Sequence, residues 1–312
     1  MKRVGIIGGS GFIGSYITRK FLKEGYNVKV SVTDIKRSEK YRHLFNLKNS
    51  DNLNISAMKV EDIMGLEDFI DDCDILIHGG TPFQLEVKDP KTELFDPTII
   101  STENFLEAIS NSPSLEKVVF IASVAAFNTN FPMLAGGKTP TDTYSETDDP
   151  FISEEGHPNA QAKFIAQRTV EKFIAANPNL DFEITTVSPV MVMGKALSNR
   201  DDSTSTGLQF LFKNRIAPNP FIEMLYENDT EFAMVAVRDV ARGVFKAATT
   251  SGLHGENYLL SSESYPVSDI GLMLNNKAPK NKAKIIYKNV KAARKLRIPF
   301  QPAIEFLKIS NS

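Results

Sequence analysis

The chain has 312 residues, 36 basic and 38 acidic, for a formal net charge of −2. That balance leaves no basic surplus to draw nucleic acid and no acidic tail, and 42% hydrophobic with 24% charged residues is ordinary for a globular chain. A lone cysteine, Cys73, excludes an internal disulfide and a cysteine-based metal site. No apolar run approaches the ~18 residues of a membrane span. Gly8 to Gly14 also interrupts the apolar stretch behind Lys2 and Arg3 too early for a secretory leader. The expected setting is therefore cytoplasmic, away from membranes.

Val4 to Ile7 reads as a short buried strand, followed at once by Gly8, Gly9, Gly11 and Gly14. Phe12, Ile13, Tyr16, Ile17, Phe21 and Leu22 then recur at helical spacing up to Gly25. Strands are predicted over Asn27–Val32, Leu53–Val60, Ile75–Ile77 and Val118–Ile121, with a helix over Pro97–Ser110. Strands alternating with helices over more than 120 residues imply a parallel, doubly wound α/β sheet with right-handed crossovers.

From Asn128 to Pro158 the periodicity fails: Pro132, Gly136, Gly137, Pro140, Pro150 and Gly156 mark a long irregular stretch, read as a functional lid or a disordered segment. Helical spacing returns over 160–176, with His157 at the capping position and Pro158 at the first helical position. A strand at Ile184–Val187, a helix at Val240–Ala248 and a strand at Asn257–Leu260 follow. The expected organisation is a nucleotide-binding domain over 1–193, to which 232–260 returns, and a smaller substrate lobe over 194–312.

Gly9-Ser10-Gly11-Phe12-Ile13-Gly14 satisfies the G-x-G-x-x-G form between a strand and a helix. One glycine permits the sharp turn, one lets a pyrophosphate approach the backbone, and one lets the helix sit close to the strand. The helix start offers its free N–H groups to the phosphates. A dinucleotide is the ligand this arrangement fits. In such sheets the ligand lies beyond the carboxyl ends of the strands. After the second strand stand Thr33 and Asp34, then Lys36, Arg37 and Lys40. A carboxylate there accepts from the ribose hydroxyls of NAD, whereas basic groups hold the 2′-phosphate of NADP; both are present, so NADP and NAD both stay open. His78, after the fourth strand, reads as a packed strand-end histidine, and Ser123 lies just past the fifth.

These segments together resemble the extended short-chain dehydrogenases/reductases, most closely the dihydroflavonol reductase and cinnamoyl-CoA reductase branch of the epimerase/dehydratase superfamily. The likeness is carried by GGSGFIGS at 8–15, Asp62-Ile63, HGGTP at 78–82, KDPKTELFDPTI at 88–99 and VVFIASVAAFN at 118–128. It continues through TTVSPVMVMG at 185–194 and the RDVARGVFKA segment from Arg238. The resemblance implies a Rossmann-type sheet in which Gly8, Gly11, Phe12 and Ile13 cradle the pyrophosphate. Asp62 and Ile63 would contact the adenine; Gly79, Gly80 and Thr81 would line the cofactor channel; Pro189, Val190 and Val192 would pack near the nicotinamide. Related NADP enzymes place an arginine at the position of Thr33 and a lysine near Lys40; only the lysine is here.

The family reduces carbonyls with a serine, and with a tyrosine and lysine in the form Y-x-x-x-K on one helix face. Ser123 and Lys163 match, but the tyrosine position is Asn159, whose amide can donate a hydrogen bond and cannot supply a proton near neutral pH. His157 is a substitute acid or only a helix cap, and Tyr144, in the long irregular stretch, is a further donor candidate. Two other Y-x-x-x-K strings, Tyr16 to Lys20 and Tyr287 to Lys291, read as chance matches. The leading expectation is an NAD(P)-dependent oxidoreductase acting on a small-molecule carbonyl or secondary alcohol. In it Ser123 polarises the oxygen and Lys163 holds the ribose. The alternatives are a cofactor-binding sensor or scaffold without chemistry, and a nucleotide-sugar epimerase or dehydratase. No nucleic-acid partner is expected. The helices at 97–110 and 160–176 offer either homodimer faces or core.

Overall fold

The computed structural model describes residues 2–59, 62–79, 89–154, 156–200 and 202–308. Seven strands form the main sheet: β1 (Arg3–Ile7), β2 (Asn27–Val32), β3 (Leu53–Ala57), β4 (Ile75–His78), β5 (Lys117–Ile121), β6 (Glu183–Pro189) and, late in the chain, Asn257–Leu260. Two more strands intervene, β7 (Met191–Met193) and β8 (Glu231–Ala236), so the late strand is β9; β10 (Ser264–Pro266) follows. The order in the main sheet is β3-β2-β1-β4-β5-β6-β9, and every pairing is parallel. Reversal of winding between β1 and β4 opens a crevice at their carboxyl ends, where such sheets take their ligands.

The strands are apolar because both faces are covered. Val4, Ile6, Val30, Ile77, Val118 and Val119 are inaccessible to solvent. Helix α1 (Phe12–Lys23) lies on one face, and α2 (Ile63–Ile70), α3 (Asp96–Ser110) and α4 (Pro158–Ala176) on the other. On that second face Cys73 is fully buried, its thiol 3.4 Å from the carbonyl oxygen of Phe69, and burial pushes it up to about 11.

The division of the chain differs from the expected boundaries. A second, three-stranded sheet of order β10-β8-β7 takes β7 from before residue 194 and β8 from the stretch expected to rejoin the large sheet. Only α7 (Val237–Thr249) and β9 return; α5 (Thr204–Asn214), α6 (Pro220–Glu227) and α8 (Val267–Leu274) surround the small sheet. The two sheets share one core: Val190, Val192, Val235 and Tyr287 pack in the same apolar cluster as Ile6, Ile17 and Phe21.

The 128–157 stretch is irregular, as expected, yet it is fastened down and is no free lid. Asn128 bridges to Phe151, and Tyr144 bridges to Tyr287 with their rings stacked 4.7 Å apart. The third strand ends at Ala57, short of its expected extension: Met58 and Lys59 lie outside the strand, and Val60 falls outside the described residues.

Candidate functional site

β1 runs into Gly8, whose φ of +77° turns the chain back, and the Gly11 N–H closes the turn on the Gly8 carbonyl at 3.0 Å. A Cβ on Gly14 would stand 2.0 Å from the Gly8 oxygen, and one on Gly9 2.8 Å from a Val30 methyl. Helix and strand are therefore as close as backbone allows. Gly11 caps α1 and brings no side-chain acceptor to its first turn. Two other helix starts at this edge are filled: the Asp62 carboxylate accepts from Gly65 N–H at 3.2 Å, and His157 Nδ1 from Asn159 N–H at 3.2 Å. Open N–H groups behind a side-chain-free turn fit the pyrophosphate of a dinucleotide. Phe12 and Ile13 are half-buried beside them, packed on the core.

Thr33 and Asp34 are exposed past β2, and Asp34 Oδ1 accepts the Lys36 N–H at 2.9 Å, an Asx turn that steadies the loop. Ile63 stands 42% exposed beside Asp62, an apolar side chain held in solvent where an adenine face would lie. Gly79 donates to the Ile7 carbonyl at 3.1 Å, and a Cβ there would come within 2.9 Å of that oxygen. Gly80 and Thr81 lie outside the described residues. Pro189, Val190 and Val192 are buried where β6 gives way to β7, and the Val190 N–H is held by the Leu260 carbonyl at 3.1 Å.

Beyond β5, Ser123 is extended and half-buried, its Oγ accepting the Ala125 N–H at 3.3 Å. Helix α4 packs on the Val124–Ala126 turn that follows, carrying Asn159 and, one turn on, Lys163. The Lys163 ammonium has no carboxylate or hydrogen-bond partner among the described residues, and burial brings it down to about 8. It also lies near enough to His78 to help burial push that imidazole to about 4. The His78 ring packs against Phe105 and Phe120, with centroids at 4.4 and 5.1 Å, so it stays neutral and structural.

Two of the donor candidates accept structural hydrogen bonds. His157 spends Nδ1 on the helix cap, and burial lowers its pKa. The Tyr144 hydroxyl accepts from the Ala135 N–H in a buried cluster, and burial raises its pKa. Tyr287, whose Y-x-x-x-K string reads as a chance match, is buried in the main core, its hydroxyl accepting from Asn128 Nδ2 at 3.0 Å. Sequence reasoning missed Arg200 altogether. It reaches from the segment after β7 to Ser10 in the glycine turn, a contact across 190 residues that no local pattern announces.

Fold and glycine turn together define a dinucleotide-binding α/β protein. The chain belongs to the NAD dependent epimerase/dehydratase family, whose model matches residues 4–261. It is 29% identical to a cinnamoyl-CoA reductase of Medicago truncatula over 257 residues, 80% of this chain and 74% of the relative. It is 26% identical to a (2S)-flavan-3-ol-forming anthocyanidin reductase of Vitis vinifera over 287 residues, 89% and 81% of the two chains. Among solved structures, the yeast methylglyoxal/isovaleraldehyde reductase complexed with NADPH superposes with a TM-score of 0.78. That likeness covers 98% of this chain and 96% of the other at 21% identity, and it bears on the fold.

Proposed function

We propose that this chain is an NAD(P)-dependent reductase of the extended short-chain type that reduces a carbonyl group of a small organic molecule. The observation that carries the reading is Lys163, an ammonium with no partner among the described residues, on a helix packed against the turn that Ser123 opens, at the same sheet edge as the glycine turn. The Gly8–Ile13 turn and the start of α1 hold the dinucleotide, which when bound supplies the hydride. The Ser123 hydroxyl, already accepting from Ala125, donates to the substrate oxygen and fixes it. Lys163 supports the ribose, and its ammonium supplies the proton as negative charge grows on that oxygen. His157 uses Nδ1 to cap α4, and this reading gives it that structural role.

A lysine brought down to about 8 is protonated at neutral pH and still acidic enough to give the proton up. Reduction is therefore expected to fall as pH rises through about 8. The test is NADPH and NADH oxidation over a broad panel of aldehydes and ketones. Lys163→Met should lower kcat by roughly 10²–10⁴-fold and abolish that alkaline limb; Ser123→Ala should lower it with the limb intact. An unchanged pH profile in Lys163→Met removes the lysine from the chemistry. The second reading, a cofactor-binding sensor, is favoured by Asn159 at the family's tyrosine position. Cofactor affinity with no turnover on any substrate would install it instead.

A further inference from the structure

Arg200 lies on the strap that joins β7 to α5, and its guanidinium sits over the glycine turn. Nη1 is 3.3 Å from the Ser10 carbonyl oxygen, 3.2 Å from Ser10 Oγ and 3.4 Å from the Lys40 carbonyl oxygen. On its other side the guanidinium grips the Asp202 carboxylate through both Nε (2.9 Å) and Nη2 (2.6 Å). Lys40 Nζ, from the loop after β2, approaches that same carboxylate to 3.8 Å. One anionic group is thus shared between two cations contributed by distant parts of the chain. It lies between the pyrophosphate turn and the loop after β2, which in this sheet type faces the adenosine ribose.

The planar fork of a guanidinium accepts carboxylate and phosphate in the same bidentate geometry, and an ammonium beside it adds a point charge. Thr33, directly after β2, carries no charge, and Arg37, further along that loop, is exposed with its Nε on Glu39 at 3.1 Å. We propose that Arg200, beside the Lys40 that the family resemblance already implies, completes the binding site for the 2′-phosphate of NADP, and that the Asp202 carboxylate holds the site as an internal stand-in which the phosphate displaces. The proposal rests on the reading of this chain as a nicotinamide-dinucleotide protein. With Asp202 turned out, two positive charges face the phosphate dianion. NAD, lacking that group, leaves Asp202 seated. The preference for NADP then depends on a residue of the C-terminal half, and the strap is drawn over the cofactor by the group that it recognises.

The test is direct binding of NADPH and NADH by fluorescence titration, with 2′-AMP and 5′-AMP as fragment probes, in wild type, Arg200→Ala, Arg200→Lys, Lys40→Ala and Asp202→Asn. Loss of a charge-assisted bidentate contact is worth about 10–100-fold in affinity. Arg200→Ala is expected to lower the ratio of NADPH to NADH affinity by that factor and to weaken 2′-AMP, with Arg200→Lys between it and wild type. Asp202→Asn is expected to raise the ratio, since the competing anion is gone. Equal weakening of both dinucleotides in Arg200→Ala would place the arginine on the pyrophosphate and overturn the proposal; so would no change in either. Wild-type protein that binds neither dinucleotide overturns the underlying cofactor reading, a result distinct from both. Thermal melts of each variant separate these outcomes from misfolding.

Discussion

Gly14 and His78 show how much one side chain decides at this edge of the sheet. A methyl group on Gly14 would press to 2.0 Å on the carbonyl oxygen of Gly8, and neither partner is a flexible tip that can swing aside. Gly14→Ala is therefore expected to lose on the order of 2–4 kcal/mol by chemical denaturation and to spoil the cradle for either dinucleotide. His78 is held neutral because the aromatic cage and the nearby Lys163 charge both oppose its protonation. Its folded pKa of about 4 lies below the ordinary 6.5, so the unfolded chain binds the extra proton first. Stability is then untouched above 6.5 and falls as pH drops from 6.5 towards 4, by up to about 3 kcal/mol. Lys163 acts in the opposite range. Its folded pKa lies below its unfolded one, so stability rises between about 8 and 10.5. Since part of the side chain reaches solvent, Lys163→Met should gain less than about 3 kcal/mol at pH 7. Melting curves across pH check all three. The glycines were legible because a backbone constraint leaves its mark in spacing. The electrostatics of His78 were not, since β4, β5, α3 and α4 must meet before that environment exists.

At the scale of elements, α4 carries the site and starts where the sequence says it should. Pro158 occupies a position that needs no N–H, and His157 supplies the acceptor for Asn159. His157→Ala should cost about 1 kcal/mol, and His157→Asn should recover it, since asparagine caps equally well. If the imidazole were instead the proton donor, the asparagine variant would regain stability without regaining turnover. Strand positions in the large sheet, and helices α1, α3, α4 and α7, were readable from apolar periodicity, usually to within a residue or two; α2 was not. The small sheet was not: β7 and β10 have three residues each, too short for an alternation to register. The 128–157 stretch read as a lid because proline and glycine dominate it locally. What fastens it is Tyr287, 143 positions after Tyr144 and 159 after Asn128, a pairing only the finished fold brings about.

For the molecule as a whole, the shared core predicts that the two sheets unfold as a single cooperative unit. Asp239, fully buried at the start of α7, strengthens the join: its carboxylate accepts from Arg242 at 3.0 Å and from the Gln301 N–H at 2.8 Å, tying a late segment to the main sheet's helix. Calorimetry should show one transition, and Tyr287→Ala should lower it by about 3–5 kcal/mol without splitting it. Two resolved transitions would mean that the halves fold independently. Tyr287→Phe, which deletes only the bond to Asn128, should cost about 1 kcal/mol. The sealed second face of the sheet also gives the protein a built-in clock. Cys73, fully buried with its thiolate strongly disfavoured, can meet a disulfide reagent only when the layer of α2 and α3 lifts away from β4. Its labelling rate thus counts openings of the native state, and slower labelling in the presence of NADPH would measure how far ligand on one side of the sheet quiets breathing on the other.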